Sequence, residues 1–177
     1  FQNSGVMIGD IAYSIQTSAD AKIKYFQTLG DVLEPESKVD NSFYVSQKQI
    51  KDWKYLKGAK SIERIHKESG TSYTYDEGSM AFPDSLTRPS RTILTGEGGS
   101  TPSRFKHIIK TKKGFRRLTP TELERLNGFP DNWTRFDNEG NEVSVTKRAF
   151  FMGNALVVGL IEKVGKVLAS EISNQQE

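Results

Sequence analysis

Apolar positions along this 177-residue chain fall into blocks with different periods. Residues 5–16, GVMIGDIAYSIQ, place β-branched and aromatic side chains on either side of Gly9-Asp10, a pattern that predicts a hairpin. Residues 25–33, YFQTLGDVL, form an apolar patch without a clear period, and PESKVD at 35–40 reads as a loop. Ser46 and Gln49 have the spacing of a capping box. Ile50, Trp53 and Leu56 then line one helical side, and Gly58 can end that helix. KSIERIHK, 60–67, is expected to continue it by a turn or two. From 68 to 103, Gly, Ser, Thr and Pro dominate, and SYTY, RTILT and the neighbouring HIIK are short strand-like pieces of a loop-rich β region. Long structured loops of this kind tend to carry binding residues.

The stretch RRLTPTELERLNGFPDNW, 116–133, is dense in helix punctuation. Thr119 is placed as N-cap, Pro120 at the first helical position and Glu122 as the capping-box partner. Leu118 and Leu123 sit at staple positions, and Gly128 can close the helix in the left-handed conformation. A turn-rich linker, DNWTRFDNEGNEV, follows. Beyond it, Leu156, Val157, Leu160, Ile161, Val164, Val167, Leu168 and Ile172 make one wide apolar stripe at helical spacing, with Asn154 placed to cap the helix. Glu162, Lys163, Lys166 and Glu171 take its other side.

Composition narrows the chemistry. Hydrophobic residues are 35% and charged residues 27%, so a thin core with long connections is expected. No run is apolar for the length of a bilayer crossing. With no cysteine and only His66 and His107, neither a thiolate nucleophile nor a metal-ligating set is expected in this chain. The net charge is +3. Between 104 and 117, eight basic side chains, His107 included, occur without an acidic one, a composition suited to phosphate contacts but also to a solvated face. No spacing among His66, Asp76, Glu77 and Asp84 supports an acid–base site. Trp53, Trp133, Tyr73 and Tyr75 read as core or strand residues.

Two segments together resemble the last two signature motifs of cytosine-5 DNA methyltransferases. One is Arg116-Arg117-Leu118-Thr119-Pro120-Thr121-Glu122 leading to Arg125-Leu126-Asn127-Gly128-Phe129-Pro130. The other is Phe151-Met152-Gly153-Asn154-Ala155-Leu156-Val157-Val158. Upstream, residues 70–107 resemble the target recognition domain of bacterial restriction–modification methyltransferases, and FQNSGVMI resembles the segment after the family's eighth motif. The resemblance implies enzymes that flip a cytosine out of the duplex, attack ring carbon 6 with a cysteine, protonate the ring from a glutamate, and move the methyl of S-adenosylmethionine to carbon 5. Matches to the Pro-Cys loop, the Glu-Asn-Val motif and the Gly-rich cofactor motif are missing here. The chain is therefore expected to be inactive alone: a C-terminal fragment, the small subunit of a split enzyme, or a free-standing DNA-binding module sharing the fold.

The resemblance further implies an α+β chain. Residues 1–115 would form a small irregular β-rich recognition domain with short helices, 116–148 a hinge or scaffold segment, and 149–177 a segment belonging with a missing Rossmann-like catalytic domain. Expected DNA contacts are Arg88, Arg91, Thr92, Thr95, Gly96, Glu97, Gly98, Gly99, Ser100, Arg104, Lys106, Lys110 and Lys112. The glycines would allow close approach to the duplex, and Glu97 could accept from a cytosine amino group. Asn154, Ala155 and Leu156 match positions bordering the cofactor, S-adenosylmethionine, which this part alone is not expected to hold tightly. Arg116, Thr119, Pro120, Glu122 and Gly128 are expected scaffold residues, with Arg117 and Arg125 open between phosphate contact and surface charge. Partners would be double-stranded DNA and the catalytic half, in a bacterial cytoplasm. The apolar C-terminal helix is expected to bury itself against the recognition domain or a second copy.

Overall fold

The computed structural model describes residues 2–18 and 27–174. The expected apolar patch at 25–33 thus lies partly outside the described residues. Its remainder forms a 3-10 turn, Leu29–Val32, whose Leu29 and Val32 are core residues.

Among the described residues the fold is mixed α+β without a large sheet, and it comprises three two-stranded antiparallel ribbons: β1 (Ser4–Ile8) with β2 (Ile11–Ile15), β3 (Lys60–Ile65) with β4 (Ser72–Glu77), and β5 (Ile109–Lys110) with β6 (Phe115–Arg116). Four α-helices accompany them: α1 (Gln47–Lys57), α2 (Pro120–Leu126), α3 (Val145–Asn154) and α4 (Val158–Asn174). The first hairpin turns at Gly9, whose φ of 57° suits glycine. The capping box Ser46–Gln49 forms as the spacing predicts, Trp53 is fully buried, and Gly58 caps the end of α1.

Several expectations are corrected. KSIERIHK does not extend α1. It is strand β3, because Gly58 stops the helix and Ile62 and Ile65, β-branched and three apart, take up extended pairing opposite Tyr75 and Ser72. RTILT pairs with no strand, and only Ile109–Lys110 of HIIK does. Trp133 is 64% exposed rather than core. Asn154 does not cap the C-terminal helix. It is the last residue of α3, with its side-chain amide donating to Phe150 O at 2.9 Å, and a break at 155–157 separates it from α4.

One small core joins distant stretches: Leu29, Val32, Ile93, Ile109, Leu118, Leu123, Ala149 and Met152. Its centre is α2, where each expected cap is found. Thr119 Oγ1 accepts from Glu122 N at 3.2 Å, Glu122 accepts from Thr119 N at 2.9 Å, and Gly128 has φ of 79°. Leu118 and Leu123, the staple pair, are 2% and 1% exposed.

The caps are only part of what α2 holds. Glu122 is fully buried and takes both terminal nitrogens of the equally buried Arg116, at 2.8 and 2.6 Å, and also accepts from Glu34 N. Glu124, likewise buried, accepts from Asn132 N, Thr134 N and Arg148 Nη2. Arg125 pairs with Asp131 through two nitrogens and donates to Val32 O. Asn127 donates to Met152 O, and its own carbonyl accepts from Val158 N. One helix of seven residues, with its C-cap Asn127, thus hydrogen-bonds the 3-10 turn, the linker, α3 and the start of α4.

A second polar knot lies under the loop region. Asp84 is 6% exposed and accepts from Arg91 Nε at 2.8 Å, Ile108 N at 2.8 Å and Lys57 Nζ at 3.3 Å. Burial alone would raise its pKa, but the Arg91 hydrogen bond, the Ile108 amide and the Lys57 charge outweigh it and hold the carboxyl below its ordinary range. Lys57 is pushed down by burial, with Asp84 opposing.

Two elements stand outside this framework. In the β1–β2 hairpin, Val6, Met7, Ile8, Ile11, Tyr13 and Ile15 are all more than half exposed. No residue of α4 is buried, and its stripe lies open from Leu160 to Ile172. Among the described residues the expected burial of this helix against the recognition domain does not occur, because the core gathers around α2 and α4 is tied to it at its N-terminal end. Among the described residues no helix is long and apolar enough to cross a membrane.

Two outcomes follow for stability. Glu122→Ala strands Arg116 in the core and is expected to cost about 3–5 kcal/mol, against roughly 1 kcal/mol for Thr119→Ala. Urea denaturation of the two variants should rank them in that order, and equal destabilisation would show that capping rather than the ion pair dominates. Asp84 has its pKa lowered on folding, so its contribution is present above the unfolded value of about 3.9 and is lost as pH falls through the folded one. Stability measured from neutral pH down to about pH 3 should fall below about pH 4, and Asp84→Asn should be less stable at neutral pH and show a shallower acid slope.

Candidate nucleic-acid interface

The segment from Arg88 to Lys112 carries the expected DNA contacts, and the structure sorts them into two groups. Arg88, Thr92, Thr95, Gly96, Ser100, Lys110 and Lys112 are exposed. The rest are committed inward.

Arg91 directs its guanidinium to Asp84 and to the carbonyls of Phe105 and Lys106. Arg104 donates to Leu56 O, Gly58 O and Gly78 O and pairs with Glu77 at 3.1 Å. It is therefore a clasp on the last carbonyls of α1, where a cation is favourable. Lys106 donates to Gly99 O and Thr101 O at 3.0 and 2.9 Å, and burial lowers its pKa. These three side chains shape the loop rather than meet a phosphate.

Glu97 is 2% exposed and so is not placed to accept from a base. Its Oε1 accepts from His107 N and lies 3.0 Å from His107 Nδ1, while His107 Nε2 lies 3.0 Å from Ser90 Oγ. The line Ser90–His107–Glu97 has the spacing of a nucleophile with its base and orienting acid. His107 is fully buried, however, so the line serves as a prop beneath the loop.

Gly98 and Gly99 approach protein, not solvent. A Cβ on Gly98 would lie 2.8 Å from the Ala149 side chain and 2.9 Å from Thr146 Cα. A Cβ on Gly99 would lie 2.9 Å from Lys106 Nζ. From the other side, a Cβ on Gly153 would overlap the backbone of Leu94 and Thr95. The loop 94–99 is thus pressed flat along α3, and Gly98 is buried for that reason, whereas Gly96 is open. Arg117 adds a second anchor, donating to Gly98 O at 3.0 Å and to Ser42 O at 2.8 Å. Arg117 and Arg125, open on sequence grounds, are both structural ties.

Of the expected cofactor residues, Ala155 lines a cleft of about 450 Å³ together with Ser90, Arg91, Thr92, Asn127, Gly153 and Val157. Asn154 and Leu156 are exposed and do not line it. The cleft sits where the loop, the end of α2 and the α3–α4 break meet. The scaffold residues Arg116, Thr119, Pro120 and Glu122 are all buried, and Gly128 is exposed at its turn. Sequence reasoning misses the role of Asp84 because its partners are 27, 7 and 24 residues away. Nothing in local spacing marks such a residue.

The family model for C-5 cytosine-specific DNA methylase matches residues 10–170. The type II methyltransferase M.Sau3AI of Staphylococcus aureus is 45% identical over 165 residues, covering 93% of this chain and 37% of that protein. The type II methyltransferase M.Bsp6I of Bacillus sp. (strain RFL6) is 24% identical over 139 residues, covering 78% of this chain and 39% of its own length. The chain spans less than two fifths of either relative. No solved structure matches. The α2 cap, the glycine packed on the loop and the α3–α4 break all lie within the matched span, and the chain belongs to the C-5 cytosine-specific DNA methylase family.

Proposed function

We propose that this chain is the DNA-recognition part of a DNA (cytosine-5)-methyltransferase of a restriction–modification system, and that it does not methylate by itself. The observation that carries the reading is the division of the polar segment 88–112: a loop fixed by buried polar props from within, presenting Arg88, Thr92, Thr95, Gly96, Ser100, Lys110 and Lys112 outward. Threonine, serine and backbone groups of such a loop can meet base edges, and the two lysines and Arg88 can meet phosphate.

The remainder of the enzyme would occupy the open surfaces. The chain covers 37% of the relative from Staphylococcus aureus, and its β1–β2 hairpin and α4 expose apolar side chains that no described residue covers. The register puts Val6, Ile8, Ile11, Tyr13 and Ile15 on one face of the hairpin, which suits covering of that face by a further layer, and the α4 stripe suits packing on a sheet. We assign both to the interface with the catalytic half, in place of self-association.

S-adenosylmethionine, the methyl donor of this family, would meet the chain at Ala155 and its neighbours Gly153 and Val157 in the cleft. These are small or apolar groups forming one wall. They fit a boundary to the cofactor, and its principal holding groups would come from the other half. No step of methyl transfer is assigned to residues of this chain.

Two measurements test the reading. Mixing the chain with a catalytic half that contains the Pro-Cys loop should restore cytosine methylation, read by bisulfite sequencing, while the chain alone gives none. Failure to methylate with any such half, alongside intact duplex binding, would favour a free-standing binding module. Val164→Asp with Leu168→Asp on the α4 stripe should abolish the restored activity and leave duplex binding by the chain unchanged. Full activity in that variant would remove α4 from the interface.

A further inference from the structure

The β3–β4 ribbon takes no part in the reading above. Its two six-residue strands pair along their whole length, an arm of roughly 20 Å at about 3.4 Å per residue. Residues 61–74 are exposed throughout.

The register sorts its side chains. Lys60 opposite Glu77, Ile62 opposite Tyr75 and Arg64 opposite Tyr73 share one face. Ser61 opposite Asp76, Glu63 opposite Thr74 and Ile65 opposite Ser72 share the other. The first face is basic and aromatic, and the second acidic and hydroxylic. The acid on the first face, Glu77, is neutralised at the ribbon base by Lys60 at 3.6 Å and Arg104 at 3.1 Å. Arg64 lies over the Tyr75 ring at 3.7 Å, and the Tyr75 hydroxyl donates to Glu77 at 3.1 Å, so the guanidinium is held in place before any ligand arrives. Among the described residues, neither Arg64 nor Lys67, near the turn, forms an ion pair.

A bare two-stranded ribbon is marginal in water and gains from a partner. An apolar partner finds no face here, since Ile62 and Ile65 lie on opposite sides. What the ribbon segregates is charge, and the chemistry complementary to its first face is a polyanion. The major groove of duplex DNA, about 12 Å wide, admits a two-stranded β-ribbon.

We propose that the β3–β4 ribbon is a second DNA-contacting arm, which lays Arg64, Lys67 and Tyr73 on the phosphate backbone of the duplex with Glu63 and Asp76 turned to solvent. The proposal rests on the reading of the chain as a DNA-recognition part. It also gives Arg104 a purpose: by gripping Leu56 O, Gly58 O, Gly78 O and Glu77, this side chain fixes the arm's base to the segment that follows the recognition loop.

The test is binding of the 177-residue chain to a labelled duplex of mixed sequence, by fluorescence anisotropy between about 50 and 200 mM salt. Arg64→Ala with Lys67→Ala should weaken binding and flatten the plot of log affinity against log salt by about 0.9 for each phosphate no longer neutralised. Glu63→Gln with Asp76→Asn alters the same strands from the other face and should keep or raise affinity. Wild-type affinity and slope in the Arg64/Lys67 variant, in a chain that binds duplex, would overturn the arm and leave the loop reading standing. Equal weakening by both double variants would show ribbon damage rather than removal of positive charge and would also overturn it. A wild-type chain that binds no duplex at any of these salt concentrations overturns the recognition reading and the arm together.

Discussion

The two-pronged contact between Arg116 and Glu122 is the constraint on which the rest of the chain depends. Both side chains are sealed from water, so neither can relax into solvent if the other is removed. The carboxylate is also shared with the amides of Thr119 and Glu34, which joins the start of α2 to the 3-10 segment 85 and more residues upstream. Among the described residues twelve apolar side chains are buried, eight of them in one cluster, which is few for a chain of this length. Directional polar contacts through Glu122, Glu124, Arg125 and Asn127 fix positions that a small core would leave loose, and α2 thereby sets where the 3-10 turn, the linker and α3 lie relative to one another.

The loop region is organised by the same means. Asp84 and the Ser90–His107–Glu97 line are buried polar knots that replace the ladder hydrogen bonds a sheet would have supplied. Residues 91–106 carry little regular structure yet hold a defined path, because Arg91, Arg104, Lys106 and Arg117 each close on backbone carbonyls. A consequence is that basic residues adjacent in sequence have different fates. Some hold the loop, and others are free to meet a ligand.

That split explains what is legible in the sequence. The capped helix, its staple, the Ser46–Gln49 cap and the first hairpin follow from local spacing, and each forms where spacing places it. The ribbon strand at 60–65 reads as helix because KSIERIHK has apolar residues three apart, which fits a helix as well as a twisted strand, and only pairing with Tyr73 and Tyr75 decides between them. The inward commitment of Arg91, Glu97 and Arg104 depends on partners up to 48 residues away, and no local pattern encodes it. Glu97 in a Gly-rich stretch reads as a tip residue, yet it faces in because the glycines flanking it let the backbone lie against α3.

The contact of Gly153 with the backbone of Leu94 and Thr95 bears on how freely the loop 94–99 could be exchanged. A surface loop is commonly pictured as a cassette, replaceable between homologues provided its ends fit. Here the middle of the loop rests on a helix whose end walls the cleft, with only a hydrogen atom's clearance. A transplanted loop must keep the main-chain path of 94–98 whatever side chains it brings. The range of loops that can be accommodated is thereby limited by a residue outside the loop itself.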